Sequence, residues 1–320
     1  MHLTRTLGSL SAVNIAQDKD ALEKLERRVA LVTVILPFVG FIAAVVLLWG
    51  RWVSGIDLLL CGAMYVITGF GITMGFHRLF THHSFKSYPI ISAMLGIAGS
   101  MAAQGPILFW TACHRKHHQF SDEEEDPHSP HAFGSGPLAL LRGWWHSHTG
   151  WMLTHKPENY RRLVGDLIRD RTVMAVNRWY LLWVALGFLL PAAAGGLVTQ
   201  TWTGFFTGLL WGGLVRMFLV HHSTWSINSI CHLFGSSPFA TDDKSHNNVA
   251  CALLSFGEGW HNNHHAFPSS ARHGLFWWQL DIIYISVRIL EFCRLVWDVR
   301  VPQRQEVIAR AKAKPAAVAA

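Results

Sequence analysis

Hydrophobic residues in this chain are concentrated in long apolar segments that are separated by polar stretches. The four longest run over Ala30–Trp49, Ile56–Phe76, Trp179–Val198 and Gly204–His222. A helical segment of about 20 apolar residues crosses a hydrocarbon core of about 30 Å. Short loops, Gly50–Gly55 and Thr199–Thr203, join the first segment to the second and the third to the fourth. The pattern predicts an all-α integral membrane protein with four transmembrane helices arranged as two hairpins.

A fifth apolar stretch, Ile90–Trp110, is interrupted by glycines, Gln104 and Pro106. These interruptions favour a buried or partly inserted helix over a further span. The polar start and the length of the first apolar run predict a retained anchor rather than a cleaved signal peptide. We divide the chain into an N-terminal segment (1–29), one membrane domain (30–300) and a basic C-terminal tail (301–320).

The placement of lysine and arginine predicts the orientation. Residues 1–28 hold five of them, residues 77–178 hold eleven and the part after residue 222 holds nine, whereas the two hairpin loops hold only Arg51. Because cytoplasmic segments are enriched in these residues, both termini and the long central segment are expected to face the cytoplasm. Arg216, inside the fourth segment, is expected to extend its guanidinium towards the interface.

Composition agrees with a membrane protein and draws attention to histidine. Hydrophobic residues make up 51% of the chain and charged residues 15%, below the roughly 25% of soluble domains. The net charge of +7 is explained by the cytoplasmic loops and by anionic headgroups, and no nucleic-acid motif is present. The five cysteines form no CxxC pair, which excludes a fused rubredoxin-type iron site. Twenty histidines are unusual, because histidine is the commonest metal ligand.

Eight histidines fall into three clusters on the predicted cytoplasmic side. The clusters are HRLFTH (His77, His82), HRKHH (His114, His117, His118) and HNNHH (His261, His264, His265). Spacings of three and four place the second and third sets each on one helical face. A spacing of five leaves the first pair about 140° apart on an α-helix, so the helix must end or be distorted there. The clusters predict a site for two metals, and the spacing alone leaves iron, zinc, copper and nickel open.

The clusters and their surroundings resemble the membrane-bound fatty acyl desaturases of the stearoyl-CoA type. The resemblance extends over GITMGFHRLFTHHSF, HRKHHQFSD, DPHSP, HTGWML, TWSINSICHLFG and GEGWHNNHHAFP. It implies a ninth ligand, His232, and a water-mediated contact from Asn228, so that the site is a diiron centre in a cytoplasmic helical cap. It further implies a short bacterial form in the inner membrane that uses dioxygen to introduce a cis double bond near the ninth carbon of an acyl chain.

The same resemblance assigns the acyl tunnel and leaves the acyl carrier open. Gln104, Trp110, Thr224 and Trp225 match residues that line the tunnel in the family. Acyl-CoA enzymes place Arg-Asp before the second cluster and Asn-Asp after the glutamine, where this chain has Ala112-Cys113 and Gly105-Pro106. The substrate is therefore an acyl chain on CoA or on a membrane glycerolipid. Electrons must come from a separate donor of the ferredoxin, rubredoxin or cytochrome b5 type, since no flavin, haem or iron–sulfur motif is visible.

The histidine clusters leave two other functions open. A membrane diiron hydroxylase of alkanes or lipids would share the metals and the oxidant. A metal transporter or sensor would place its ligands inside the spans rather than at one membrane face. Of the remaining polar residues, the acidic run Asp122–Asp126 is expected to be a solvated loop, with a structural or donor-docking role as the alternative. His83, His221 and His222 are expected to hydrogen-bond around the site, and His128 and His273 to be structural or surface residues.

Overall fold

The computed structural model describes residues 24, 27–48, 53–154 and 160–312. Most of the predicted N-terminal segment, the start of the first hairpin loop and the end of the tail lie outside these residues. The described part is mostly helical, with one short antiparallel ladder that pairs β1 (Lys86–Ser87) with β2 (Val296–Trp297).

Four helices are long and apolar enough to cross a membrane. They are α1 (Arg27–Leu48), α2 (Gly55–Thr81), α8 (Tyr180–Thr199) and α9 (Trp202–His232). The four predicted spans are thus confirmed as apolar helices, and α2 and α9 continue past their predicted ends. The continuations carry His77 and His232, so the helices that enter the membrane also deliver side chains to the site. The hairpin pairing and the side of the membrane remain predictions.

Shorter helices surround the ends of these four. They are α3 (Pro89–Ser100), α4 (Ile107–Gln119), α5 (Pro137–Trp145), α6 (Gly165–Arg169), α7 (Arg171–Arg178), α10 (Val249–Leu254), α11 (His261–Ala266), α12 (Ile282–Phe292) and α13 (Arg304–Lys312). The fifth apolar stretch thus forms two helices, α3 and α4, separated by a turn at residues 101–106. The main apolar core lies between α2, α3, α4 and the helices that pack on them.

The second span starts as an α-helix and ends as a π-helix. Ser54 caps its start in a reciprocal pair with Asp57. From Gly71 to Thr81 the hydrogen bonds run from i+5 to i, and the amide of His82 continues this pattern by donating to the carbonyl of His77 at 3.1 Å. Residues five positions apart are then hydrogen-bonded neighbours on successive turns, so His77 and His82 lie nearer to one face than they would on an α-helix. The distortion expected from the spacing of His77 and His82 is therefore present.

Close approach of α2 and α3 depends on two glycines. A Cβ atom added at Gly71 would lie well inside van der Waals contact with the backbone of Gly99. A Cβ atom added at Gly99 would clash with the ring of Phe76. The π-helical segment is thereby held directly against α3.

Arg216 does not reach the interface, contrary to the prediction. Its side chain is fully buried and donates to the carbonyls of Met101 (3.0 Å), Gly187 (2.7 Å) and Gly212 (3.1 Å). The physical reason lies in α8, where Pro191 has no N–H to donate to the carbonyl of Gly187. Arginine supplies the missing donor inside the apolar region, where an unpaired carbonyl is costly.

Candidate metal centre

The histidine clusters converge from four directions. The π-helical end of α2 brings His77 and His82, α4 brings three histidines, the end of α9 brings His232 and α11 brings three more. Their ligand nitrogens form two compact sets, within each of which all atoms lie within 4.8 Å of one another. Group one consists of His77, His82, His114, His118 and His264, and group two of His117, His232, His261 and His265.

Both triple clusters are shared between the two groups. On α4, His114 and His118 point into group one and His117 into group two; on α11, His264 joins group one and the other two join group two. This division agrees with the expectation that one helical face can serve two neighbouring metals. All nine histidines predicted as ligands lie in these groups, and their role as ligands remains a prediction.

The distances within each group are those of nitrogens around a common ion. The Nε2 atoms of His118 and His264 are 2.9 Å apart, and those of His118 and His114 are 3.1 Å apart. In group two, the Nε2 atom of His261 lies 3.0 Å from that of His232 and 3.1 Å from that of His265. Nitrogens about 2.1 Å from one metal and at right angles would lie about 3.0 Å apart. The geometry fits one metal ion in each group.

Two orphaned nitrogens support the same conclusion. The Nε2 atoms of His82 and His117 are buried and have no hydrogen-bond partner. A buried unpaired ring nitrogen is costly unless something binds it. A metal ion in each group would give both atoms a partner, and imidazole nitrogens suit iron as well as zinc, copper and nickel.

Four carboxylates orient the histidines from behind. Glu258 pairs with the Nδ1 atom of His77. In group two, three histidines donate from Nδ1 to aspartates: His117 to Asp126 (3.0 Å), His232 to Asp122 (2.9 Å) and His265 to Asp243 (2.6 Å). A carboxylate on one ring nitrogen leaves the lone pair of the other free for a metal and makes the ring a stronger donor.

These carboxylates are the residues that the sequence analysis missed. Asp122 and Asp126 are buried and bonded to histidines, so the expectation of a solvated loop is wrong for them and holds only for the exposed Glu123–Glu125 between them. Proximity was the available signal, because both follow the second cluster within eight residues and Glu258 precedes the third by three. Asp243 lies in a loop distant from any cluster and gave no such signal.

Burial keeps the ligand nitrogens in the form that binds metal. Burial lowers the pKa of His114 and His118 well below the usual value, and lowers that of His265 to about 4 although Asp243 opposes the shift. These rings are therefore neutral at pH 7. Burial alone would also lower the pKa of His117, but Asp126 raises it, which marks a more basic ring.

Five further histidines lie in varied surroundings. His273 is fully buried, with its ring 4.5 Å from that of His264, and His128 is buried with its ring 4.4 Å from that of His117. His83 instead lies at the surface, with its Nε2 atom 2.8 Å from the carboxylate of Asp166. His221 donates to the carbonyl of Ala102, and His222 contacts His148.

A cavity of about 450 Å³ reaches the histidines. All four residues predicted to line an acyl tunnel contribute to its wall, namely Gln104, Trp110, Thr224 and Trp225. Gln104 donates to the hydroxyl of Thr224 at 2.7 Å, and the ring of Trp110 stacks on His114 at 5.1 Å. Asn228, His114 and His128 also line the cavity. The predicted residues are thus brought together around one largely apolar space that ends at the metal centre.

Comparison with known proteins identifies the family. The family model described as fatty acid desaturase matches residues 47–297. The chain belongs to the fatty acid desaturase family. This desaturase is 42% identical over 91% of its length, and over 91% of the relative, to the hex-5-enoyl-[acyl-carrier protein] acetylenase of Moorena producens. It is 36% identical to the sn-1 stearoyl-lipid 9-desaturase of Anabaena variabilis, over 79% of this chain and 85% of that one.

A third relative extends the range of acyl carriers. The desaturase is 38% identical to the acyl-CoA C20 Delta5-desaturase of Anemone leveillei, over 76% of its own chain and 73% of the relative. Membership makes the chain an oxidoreductase of lipid metabolism, and its histidine groups are compatible with a metal site.

Proposed function

We propose that the protein is a dioxygen-dependent acyl desaturase with one iron in group one and one in group two. It introduces a cis double bond near the ninth carbon of a saturated acyl chain. The observation that carries this proposal is the meeting of nine imidazoles, in two sets of metal-ligand geometry, with an apolar cavity. Asn228 is proposed to contact a metal through water, since it lines the same cavity as His114.

The reaction requires a strong oxidant and a fixed substrate. Two irons and dioxygen supply the capacity to remove hydrogen from an unactivated methylene. In total, two hydrogens from the chain, two electrons and two protons convert one dioxygen into two waters. The protein's side chains orient the acyl chain and exclude water: the Gln104–Thr224 hydrogen bond fixes one wall and Trp110 closes the space next to His114. Glu258 and the three aspartates hold the histidine rings in place.

The acyl carrier is proposed to be a membrane glycerolipid, with CoA as the alternative. Gly105, Pro106 and Cys113, which replace the polar residues of the acyl-CoA type, line the apolar cavity. The names of the relatives describe lipid, CoA and acyl-carrier-protein substrates, and one describes an acetylenase. A substrate panel should therefore contain all three carriers, and product analysis should include alkynes.

Electrons are proposed to come from a separate one-electron carrier of the ferredoxin, rubredoxin or cytochrome b5 type. The site and both termini are proposed to face the cytoplasm of a bacterial inner membrane. An alkaline phosphatase domain fused after Gln200, in the loop between α8 and α9, should then be active. An inactive fusion there, together with an active one at the C-terminus, would reverse the orientation.

The function is tested by expressing the chain with an electron donor in a host of known lipids and analysing its fatty acids by mass spectrometry. New cis-monounsaturated chains should appear and should disappear with His118→Ala, which removes a group-one nitrogen. His83→Asn is the matched control, because His83 is exposed, belongs to neither group and has a positive φ that asparagine tolerates. Its products should equal those of the wild type.

Other products would change the assignment. Hydroxylated chains would identify a hydroxylase. Unchanged lipids from protein that contains two irons and receives electrons would refute desaturation of the acyl chains tested.

A further inference from the structure

The carboxylates behind the histidines are distributed unequally. Group one has one of them, Glu258, behind five imidazoles. Group two has three, Asp122, Asp126 and Asp243, behind four imidazoles. The two metal positions, although both formed by imidazoles, therefore lie in different electrostatic surroundings.

The single carboxylate of group one is offset by a buried cation. Arg78 donates from Nε and Nη2 to the Oε1 atom of Glu258 at 3.1 and 2.9 Å. Its Nη1 atom also contacts Asp281 at 3.0 Å, and its side chain is fully buried. The guanidinium is shared between two carboxylates, so it offsets part of the negative charge that Glu258 places at group one.

The aspartates of group two take their other hydrogen bonds from neutral groups. Asp126 accepts from the backbone amides of Asp122 and His128. Asp122 accepts from the hydroxyl of Ser129 and the amide of Lys244.

Asp243 accepts from the hydroxyl of Thr241 and the amide of Ser245. The side chains of Asp122, Asp126 and Asp243 are 4, 0 and 11% exposed, so water screens these charges little. Group two therefore lies next to three ionised carboxylates in a poorly screened environment.

A buried negative charge favours the higher oxidation state of a nearby metal. Its attraction for an ion grows with the charge of that ion, and a carboxylate bonded to the distal nitrogen makes imidazole a better donor. Both effects favour ferric over ferrous iron, and both are stronger at group two than at group one.

We propose that the two irons have different reduction potentials, and that the group-two iron remains ferric when the enzyme has received one electron. This inference rests on the proposed diiron function. The first electron, from a one-electron carrier that is itself oxidised by one electron, converts group-one Fe³⁺ to Fe²⁺. The second electron then reduces group two. No bond forms or breaks in either step, and Asp122, Asp126 and Asp243 determine the order.

The test is a redox titration of ⁵⁷Fe-loaded enzyme with dithionite, followed by Mössbauer spectroscopy. The wild type should be reduced in two steps. Asp122→Asn and Asp243→Asn keep an oxygen that accepts from the histidine but remove the charge. Each should therefore raise the lower of the two reduction potentials, which is that of the group-two iron. A tenfold loss of ferric preference corresponds to about 59 mV for one electron, and we expect at least that shift. Glu258→Gln should leave the lower potential in place.

Two controls separate charge from damage. Asp298→Asn removes an exposed carboxylate that pairs with Lys86 and should move neither potential. Asp243→Glu keeps the charge, so its lower reduction potential should lie closer to that of the wild type than the one of Asp243→Asn does.

Two results would overturn the proposal: a single two-electron step in the wild type, or aspartate variants that raise the upper potential. If the protein binds two irons and desaturates, only this inference then falls. If it cannot hold two irons, the proposed function falls with it.

Discussion

At the scale of single residues, Glu258 connects side chains that lie about 180 positions apart in the chain. It pairs with the Nδ1 atom of His77 and binds the guanidinium of Arg78, and its Oε2 atom lies 3.6 Å from the Nδ1 atom of His273. All four side chains are buried. One carboxylate therefore both orients a proposed metal ligand and compensates a cation that has no access to water.

These two roles can be separated by substitution. Glu258→Gln keeps an acceptor for Arg78 and should fold, but we expect a 10–100-fold loss of iron affinity, the usual cost of losing such a partner. Glu258→Leu leaves the buried Arg78 with one carboxylate partner, Asp281, and the carbonyl of Ala271, and should destabilise the protein by about 3–5 kcal/mol. Iron binding assays and thermal unfolding in detergent measure the two effects. Equal stability of the two variants would show that Arg78 does not depend on position 258 for a hydrogen-bond acceptor.

The sequence allowed prediction of the histidines but not of most residues behind them. Spacings of three and four define a helical face from sequence alone, so the grouping of His114, His117 and His118 followed from periodicity. Asp243 lies in a loop and bonds to His265. A loop has no sequence periodicity from which one can predict which of its side chains points inward. The position of Asp243 depends on local hydrogen bonds, such as that from the amide of Ser245, which only the folded chain reveals.

At the scale of elements, the π-helical segment of α2 depends on contact with α3. The spacing of His77 and His82 indicated a distortion, but not its type or its length of 11 residues from Gly71 to Thr81. The close approach at Gly71 and Gly99 presses this segment against its neighbour. The distortion therefore depends on the packing of α2 against α3. The spacing of the two histidines predicts its presence but not its extent.

Gly71→Ala should test this dependence. Its Cβ atom would meet the backbone of Gly99, so we expect a loss of about 3 kcal/mol of stability, at the upper end of overpacking effects, together with reduced iron content. Gly62→Ala is the matched control on the same helix, because nothing lies within 4 Å of its added Cβ atom. The control should be neutral or stabilising by about 0.5–1 kcal/mol. Thermal unfolding of both variants in detergent decides, and similar melting temperatures would argue against the contact.

At the scale of the whole molecule, the centre keeps many histidines neutral inside a folded protein. Burial lowers the pKa of His114, His118, His261 and His264 well below the usual value. In the unfolded chain these groups titrate near 6.5. Below that pH the unfolded chain binds more protons than the folded one, so the free energy of unfolding must fall as the pH falls. His117, whose pKa Asp126 raises, acts in the opposite direction.

We therefore expect chelator-treated protein to lose stability steeply between pH 7 and pH 5.5. Each buried neutral histidine costs about 1.4 kcal/mol at one pH unit below its unfolded value. Thermal unfolding in detergent at several pH values measures the loss. His118→Leu removes one such group and should make the dependence shallower by about one proton. Melting temperatures that do not change with pH would contradict this account.

The spans themselves were predictable because the bilayer fixes their length and apolar character. The same reasoning failed for Arg216, since a single sequence position does not reveal a carbonyl freed on another helix. Arg216 binds that carbonyl, and also joins α9 to the turn at Met101, which leads into the cavity wall at Gln104.

The pairing of Pro191 with Arg216 has a consequence for how the family can evolve. Loss of the arginine alone would leave the carbonyl of Gly187 unpaired, and loss of the proline alone would restore a competing helical donor and deprive a buried cation of an acceptor. A protein with either single substitution is expected to be less stable than one that has both residues or neither. Lineages should therefore retain or exchange the two positions jointly, as an epistatic pair separated by 25 residues.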